Sequence, residues 1–449
     1  MTATPSHADW MDTLAVYLRP RVLIVLFLGF ASGLPLALSG STLLVWMREA
    51  NVDLGTIGLF ALVGTPYTVK FLWAPVVDAL NVPVLSRLLG RRRGWLIFSQ
   101  ILLIGAIVLL ATRDPAVSPW AVAFGALLVA AASATQDIVI DAFRVESLDE
   151  REQAAGMASY VAAYRLGMLA STAGALFLVT GFERYGFDRA GAWTAGYLAM
   201  AALMAAGLVT TLLATEPDRS AEAIRQQAGD GALVRVAKAA AGAFSEFLTR
   251  DLAVAVLAFV VLFKFCDAFA GTMTAPFVID LGFTRDEYAA IVKGVGLAAT
   301  LIGGFAGGFI ARALPLATAL WVGALLQMVS NLVFVGLAFA GTNLWALSAA
   351  IIAENFAGAI GTVIFVAYLS ALCWSPAHTA TQYALLTALA AVGRTYLSAG
   401  AGYVAEATGW PMFFALSSLA AVPGLVLLAV LQVRGHFAGL DQADRAKAK

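Results

Sequence analysis

Residues 134–144, Ala134-Thr135-Gln136-Asp137-Ile138-Val139-Ile140-Asp141-Ala142-Phe143-Arg144, close a long apolar run that begins near Trp120. That run is long enough to cross a bilayer, so the stretch is predicted to be the inner end of a membrane-spanning helix. At 3.6 residues per turn, Asp137, Asp141 and Arg144 share one face of this helix. A charge near the bilayer centre costs between about 2.5 and 10 kcal/mol, so such residues usually belong to a substrate or proton path.

The composition agrees with a membrane protein. The 449 residues are 61% hydrophobic and 12% charged, whereas about a quarter of a soluble chain is charged. Long apolar runs recur from end to end, which predicts an all-α integral membrane protein that crosses the bilayer many times. The net charge is zero, so no nucleic-acid surface is expected. Cys266 and Cys373 lie inside apolar runs without metal-ligand spacing, so we expect neither a metal nor a cofactor.

Twelve helices are predicted, at 21–46, 54–78, 94–112, 119–143, 153–180, 192–214, 252–280, 286–311, 315–340, 343–373, 378–405 and 411–433. They form an N-terminal half (21–214) and a C-terminal half (251–433), joined by a cytoplasmic linker (215–250). Residues 1–20 are expected to be an amphipathic lead-in on the inner leaflet, with no cleavable signal, and 434–449 a tail. Lys and Arg concentrate in the termini, the linker and the other even-numbered loops, which places both termini in the cytoplasm.

The six-plus-six pattern is typical of the major facilitator architecture, in which the substrate binds at midplane between the halves. Asp78 followed by Gly90-Arg91-Arg92-Arg93-Gly94 resembles the gating signature of that superfamily. We expect Asp141 and Arg144 to brace an inner gate together with these residues.

Charged residues expected to be buried in the spans fall in helices 2, 4, 5, 7, 8, 10 and 11 and are missing from helices 3, 6, 9 and 12, which predicts a central polar cavity. They are Lys70, Asp137, Asp141, Arg165, Lys264, Asp267, Lys293, Glu354 and Arg394, apart from the gate residues Asp78 and Arg144. Asp137 and Glu354 are the first candidates for proton coupling, with Asp141 as a third. Arg165 and Arg394 occupy the same helix of each half and suit a carboxylate-bearing substrate; the alternative is a fixed protein carboxylate. Lys70 is either a substrate contact or an ion-pair partner of Asp137.

Aromatic residues on the same helices could stack on sugar rings, although aromatic stripes more often pack against neighbouring helices. The candidates are Tyr67, Tyr160, Tyr164, Phe265, Phe269, Tyr368 and Tyr383.

Several motifs together resemble the AmpG-type anhydromuropeptide permeases. In the N-terminal half they are Gly29-Phe30-Ala31-Ser32-Gly33-Leu34-Pro35, Tyr67-Thr68-Val69-Lys70-Phe71-Leu72-Trp73, Gln136-Asp137-Ile138-Val139 and Tyr164-Arg165-Leu166-Gly167. In the C-terminal half they are Asp267-Ala268-Phe269-Ala270, Glu354-Asn355-Phe356, Gln382-Tyr383-Ala384 and Val392-Gly393-Arg394.

The resemblance implies a proton-coupled importer in the inner membrane of a Gram-negative bacterium, working by alternating access. Its cargo would be N-acetylglucosaminyl-1,6-anhydro-N-acetylmuramic acid with or without a stem peptide, which feeds peptidoglycan recycling and, in some bacteria, β-lactamase induction and antibiotic resistance. The substrate-binding residues expected on this basis are Gln136, Arg165, Lys70, Lys264, Asp267, Asn355, Arg394, Tyr164, Phe269 and Gln382.

Other functions remain open at this stage. A related transporter could carry another bulky anionic solute, such as an acyl-CoA-like compound or a different sugar conjugate. A membrane-embedded transferase would need a catalytic cluster at the membrane face, and a sensor or scaffold would not need charges confined to seven helices. We expect a monomer whose partners are the solute, protons and the lipid bilayer.

Overall fold

The computed structural model describes residues 15–217, 249, 252–373, 379–438 and 440. Every regular element in that part of the chain is a helix. Most of the predicted lead-in (1–20), linker (215–250) and tail (434–449) lies outside the described residues, as does the predicted start of the eleventh helix at residue 378.

The long helices follow the predicted apolar runs closely. They are α1 (Pro20–Glu49), α2 (Leu54–Leu72), α3 (Arg91–Ala111), α4 (Pro119–Ser147), α5 (Ala155–Arg184), α6 (Arg189–Leu213), α7 (Ala253–Asp280), α8 (Arg285–Ala313), α9 (Leu316–Ala340), α10 (Leu344–Leu372), α11 (Thr379–Tyr396) and α12 (Trp410–Val433). Short helices lie at Ala74–Ala79 and Leu85–Leu89, and Ala401–Thr408 follows α11. All but α11 are long and apolar enough to cross a membrane, which makes eleven such helices in the described residues. Twelve spans and cytoplasmic termini remain predictions.

Short polar side chains start several of these helices. Asp188 accepts a hydrogen bond from the Gly191 amide (3.2 Å) at the start of α6, and Asn343 accepts one from the Trp345 amide (3.0 Å) at the start of α10. Thr284 forms a capping box at the start of α8. Each cap satisfies amides that have no partner within the helix.

Two predicted helices are interrupted at a lysine. The predicted helix at 54–78 ends at Leu72 after a 3₁₀ turn at Lys70–Leu72, and α7 is interrupted at Lys264, between Ala253–Leu262 and Phe265–Asp280. Irregular backbone at membrane depth is tolerated only where protein or a water-filled cavity satisfies the freed polar groups. Both lysines therefore belong to polar surroundings.

The described residues fall into two compact units, assigned over Met1–Trp46 with Val63–Leu233, and over Met47–Leu62 with Val234–Lys449. In the first unit, α1 and α5 touch through their backbones at glycines. A Cβ atom added to Gly29 would lie 2.6 Å from the carbonyl oxygen and 2.9 Å from the Cα of Tyr160. The contact leaves no room for a side chain, so glycine at this position sets the distance between the two helices.

In the second unit, the segment Met47–Leu62 is joined to the C-terminal helices by two ion pairs of opposite polarity. Arg48 makes a two-point contact with Asp280, with one hydrogen bond of 2.8 Å. Arg285 donates to Glu49 at 2.5 Å, and both side chains are mostly buried.

An aromatic cluster in the second unit includes residues beyond α12. Phe263 stacks on Phe365 with ring centroids 4.9 Å apart. After α12, Gly435 takes a left-handed conformation (φ +76°) and turns the chain back, so that His436 Nε2 lies 3.1 Å from the hydroxyl of the buried Tyr368.

Replacing Gly29 by alanine should destabilise the protein by about 1 to 3 kcal/mol, because the added methyl group meets backbone atoms that cannot rotate away. Gly181 in α5 is the matched control, since a Cβ there meets no atom within 4 Å. Gly181→Ala should leave stability unchanged or raise it slightly, as alanine favours helix more than glycine does. Thermal unfolding in detergent tests both substitutions. If they changed the stability equally, the close contact between α1 and α5 would not be what stabilises the protein at Gly29.

The docking of the segment after α12 should weaken as pH falls. Burial lowers the pKa of the His436 imidazole below its ordinary value of 6.5. A lowered folded-state pKa means that the unfolded chain binds more protons, so the contribution of His436 is fully present above pH 6.5 and is lost as pH falls through the folded pKa. Proteolysis of the C-terminal segment should therefore accelerate below neutral pH in the wild type. In His436→Gln the rate of proteolysis should depend less on pH. The same pH dependence in the variant and the wild type would contradict this account.

Candidate functional site

A chain of hydrogen bonds across three helices holds Asp137 in the first unit. Ser32 in α1 donates to Asp137 Oδ1 at 2.5 Å, and the Tyr160 hydroxyl lies 3.0 Å from Ser32 Oγ. A serine has one hydroxyl hydrogen, and it is already given to Asp137, so Tyr160 donates to Ser32. The order of donation runs from α5 through α1 to α4.

Lys70 supplies positive charge to this cluster from the break in α2. Its ammonium interacts electrostatically with both Asp137 and Asp141. Within the described residues Lys70 makes no direct ion pair, so neither carboxylate is tied to it by a hydrogen bond. Asp141 also interacts with Arg144, one turn further along α4.

Gln136 is fully buried beside Asp137. Neither its amide nitrogen nor its amide oxygen has a hydrogen-bond partner among the residues that the structure describes. The buried hydroxyls of Tyr67 and Ser133 interact with each other, and Ser133 lies one turn before Gln136 on α4. Buried polar atoms nearly always find partners, so this face of α4 is suited to bind a polar ligand.

The second unit has its own polar cluster at the break in α7. The Lys264 ammonium forms an ion pair with Asp267 Oδ2 at 2.6 Å, donates to Gln327 Oε1 at 2.8 Å and to the Gly358 carbonyl at 3.3 Å. Asp267 stands in the first turn of Phe265–Asp280, where the helix dipole favours a negative charge. Lys264 and Asp267 thus neutralise each other.

Glu354 in α10 completes this cluster with neutral contacts. Asn355 donates to Glu354 Oε2 at 3.3 Å and accepts from Thr300 at 3.1 Å. Lys293 lies in the π-helical segment Ala289–Val295 of α8 and is one of the cations that interact with Glu354. Glu354 has no bonded cation within the described ranges.

The two mid-span arginines have exposed side chains that are not bonded to another described residue. Arg165 in α5 and Arg394 in α11 are both exposed, and in the described part of the chain neither donates a hydrogen bond nor forms an ion pair. The alternative of a fixed carboxylate partner has no support in these residues. Two exposed guanidinium groups suit carboxylate recognition, since each presents several donors in a plane.

The aromatic residues predicted to contact the substrate differ in their burial and packing. Tyr164 is half-buried, with its ring 6.1 Å from that of Tyr160. Phe269 is 9% exposed and packs against Phe265 and Phe413. Phe269 thus contributes to the aromatic core, and its role in binding remains a prediction. The side chain of Gln382 lies outside the described part of the structure.

The basic side chains at the start of α3 bind to groups at the ends of α4 and α6. Arg92 forms a bidentate pair with Glu146 at 2.9 and 2.5 Å, and Arg91 lies 3.7 Å from the same carboxylate. Arg93 donates to the last carbonyls of α6, at Thr211 (3.0 Å) and Leu212 (2.8 Å).

Glu216, just after α6, accepts the Arg92 and Arg93 amides at 2.8 and 3.0 Å. The start of α3 and the end of α6 therefore satisfy each other's free backbone groups. The expected gate contact to Asp78 lies outside the described side chains.

Comparison with known proteins decides the family. The family model of the Major Facilitator Superfamily matches residues 25–396. The chain is 41% identical, over 93% of its length and 81% of the relative's, to the Escherichia coli protein named anhydromuropeptide permease. It is 33% identical to the Rickettsia felis protein named putative transporter AmpG 4, over 92% and 96% of the two chains. The chain belongs to the AmpG family of the major facilitator superfamily.

Solved structures agree on the fold of this AmpG-family chain. A POT family transporter in complex with 5-aminolevulinic acid superposes with a TM-score of 0.67 at 13% identity, over 92% of this chain and 96% of that one. The nucleoside transporter NupG gives 0.62 at 14% identity, over 94% and 98%. Identities this low speak for the fold alone. The expected all-α major facilitator fold is confirmed, and the chain is a multi-pass membrane transporter.

Several partners of the predicted residues were not anticipated from the sequence. They are Ser32, Gln327, Thr300, Glu146 and Glu216. Ser32 lies in a quoted family motif, which is a usable signal; Gln327 and Thr300 are single polar residues in apolar runs, and only the helix packing relates them to a charged neighbour.

Replacing Gln136 by leucine should raise the stability of the protein and weaken solute binding. Leucine removes two buried polar atoms that lack partners among the described residues, so the free energy of unfolding should rise by about 1 to 3 kcal/mol. Solute binding should fall at the same time, because the amide is the part offered to a ligand. Thermal unfolding and binding measured on the same preparation test this, with Ser133→Ala as the control; a destabilised variant would mean that the amide has a structural partner.

Proposed function

We propose that this AmpG-family protein imports N-acetylglucosaminyl-1,6-anhydro-N-acetylmuramic acid, alone or with a stem peptide, from periplasm to cytoplasm by alternating access. It would act in the inner membrane of a Gram-negative bacterium, coupled to protons, and supply peptidoglycan recycling and the signal for β-lactamase induction. The extended similarity to the Escherichia coli anhydromuropeptide permease supports the cargo.

The observation that carries the proposal is the set of polar groups that have no bonded partner in the described chain. The exposed Arg165 and Arg394 offer guanidinium groups, and the buried Gln136 offers an amide. A muropeptide presents carboxylates, which suit arginine forks, and acetamido and hydroxyl groups, which suit an amide. A purely apolar solute would leave all of these donors unsatisfied.

The partners of the buried carboxylates support a division of roles. Asp267 is bonded directly to the Lys264 ammonium, which holds it as a charged structural partner. Asp137 is bonded to a hydroxyl and Glu354 to an amide, so each has neighbours compatible with either protonation state. We assign proton coupling to Asp137 and Glu354, and keep the exposed Asp141 as the alternative.

A membrane potential can drive such transport when the coupled protons outnumber the negative charges on the solute. Moving one charge through 100 mV supplies about 2.3 kcal/mol. Since about 1.4 kcal/mol is a factor of ten, one coupled proton sustains roughly fifty-fold accumulation of a neutral solute. Accumulation should therefore collapse when the proton gradient is removed.

The test is uptake of labelled anhydromuropeptide into proteoliposomes under an imposed proton gradient. The wild type should accumulate the solute by roughly an order of magnitude or more over the outside concentration. Asp137→Asn should abolish accumulation but retain exchange of labelled for unlabelled solute, because exchange needs binding without net proton movement. Asp114→Asn, at an exposed aspartate between α3 and α4, is the control and should accumulate normally.

Each of the other possible results would change one specific part of the proposal. Accumulation lost in Glu354→Gln or Asp141→Asn and retained in Asp137→Asn would reassign the proton. Concentrative uptake that survives an uncoupler would exclude proton coupling. If the wild type takes up no anhydromuropeptide, competition with other bulky anionic solutes, such as acyl-CoA-like compounds or sugar conjugates, would identify the cargo instead.

A further inference from the structure

The first unit has an apolar groove on the outside of α3, separate from the polar cluster. Its volume is about 470 Å³, and its walls come from Trp73 and the short helix Ala74–Ala79, from α3 and from α4. Ligand sites in proteins have volumes of about 300 to 1,000 Å³, so the groove is large enough for an elongated apolar group. Almost all of its lining is carbon; the Trp73 indole nitrogen is bonded to the Thr135 hydroxyl at 3.2 Å.

The groove is oriented along the membrane normal. It follows α3 from Trp95 to Leu109, which at about 1.5 Å per residue is about 21 Å. The hydrocarbon core of a bilayer is about 30 Å thick, so one leaflet contributes about 15 Å. A chain that enters at the basic end of α3 has room for its whole length.

The residues along the groove face lipid. Ile101 is 52% exposed and Leu102 is 48% exposed, and Gly105 is exposed with no atom within 4 Å of a Cβ position. Exposed large apolar side chains on a helix that carries no charge beyond its first turn are typical of a surface in contact with acyl chains. The glycine leaves a depression in that surface.

The basic end of the groove has the features of a headgroup site. The Trp95 indole nitrogen donates to the Leu80 carbonyl at 2.9 Å, which anchors the segment after α2 at the groove entrance. Gly94 packs closely against Ser86, which places the exposed Arg87 next to this entrance. Arg87 makes no ion pair with any described residue.

Apolar side chains surround Arg87 on the same segment. Leu80 is 56% exposed, Val84 62% and Leu88 74%. A short segment that exposes leucines beside an arginine, next to an interfacial tryptophan, is expected to lie at the level of the lipid headgroups. The phosphate of a phospholipid is then within the layer that Arg87 occupies.

We propose that this groove binds one phospholipid, with an acyl chain along α3 and the phosphate at Arg87. The apolar lining matches the chain, and the unpaired guanidinium matches the phosphate. Anionic lipids should be preferred, since an exposed charge pair adds a modest electrostatic contribution.

Photo-crosslinking in vesicles tests the proposal. The full chain is reconstituted in palmitoyl-oleoyl phosphatidylcholine with a trace of phosphatidylglycerol that carries a diazirine in one acyl chain, and labelled peptides are mapped. Labelling should concentrate on α3, on the short helix Ala74–Ala79 and on the adjacent part of α4. Gly105→Phe fills the groove and should reduce labelling there about tenfold, equivalent to a loss of about 1.4 kcal/mol.

The control is Gly336→Phe, a substitution at an exposed glycine of α9 where a Cβ also meets no atom within 4 Å; it should leave labelling of the groove unchanged. Leu102→Trp is a second filling variant in case the first fails to fold. Arg87→Gln should lower labelling by the anionic probe about two- to fivefold, as expected for an exposed ion pair. Labelling spread evenly over all lipid-facing helices, equal effects of Gly105→Phe and Gly336→Phe, or cross-links between two protein copies at α3 would overturn the proposal.

Discussion

The close contact between the backbones of α1 and α5 is the constraint on which the first unit's polar cluster depends. Gly29 and Gly33 leave no side chain between the helices, so Ser32 reaches both Tyr160 and Asp137. A larger residue at either glycine would separate α1 from α5 and lengthen the hydrogen bond between Ser32 and Tyr160. Packing in a membrane protein is driven by such close contacts between small residues, because lipid provides no hydrophobic force between helices.

Charge is balanced separately within each unit. In the second unit Lys264 and Asp267 form a direct pair, with Lys293 facing Glu354; in the first, Lys70 faces Asp137 and Asp141 without bonding to either. Charges inside a membrane are costly unless they are compensated. Compensation through space, rather than through a hydrogen bond, keeps the site tolerable and leaves the carboxylates able to exchange protons and partners.

The apolar runs predicted the positions of the helices well, and the seven charged helices hold every charged member of the two clusters. The neutral partners Ser32 in α1 and Gln327 in α9 come from helices outside that set. The breaks at Lys70 and Lys264 were not predicted, because hydropathy does not detect a change from α to 3₁₀ geometry. The pairing of Gln327 with Lys264 depends on how two helices are rotated about their axes, which a sequence pattern does not specify. Phe269 shows the same limit: its motif suggested a ligand contact, whereas packing places it in an aromatic cluster.

The α4 helix links the solute site to the lipid. Residues two apart on a helix point about 200° from each other, so Asp137 faces Ser32 while Thr135 faces the groove and bonds to Trp73. Trp73 follows the 3₁₀ turn that begins at Lys70. An acyl chain bound in the proposed groove would therefore press on the backbone that carries Lys70, and a movement of Lys70 would shift the wall of the groove. Because only three residues separate Lys70 from Trp73, a lipid on one side of α4 would affect the charge balance on the other side.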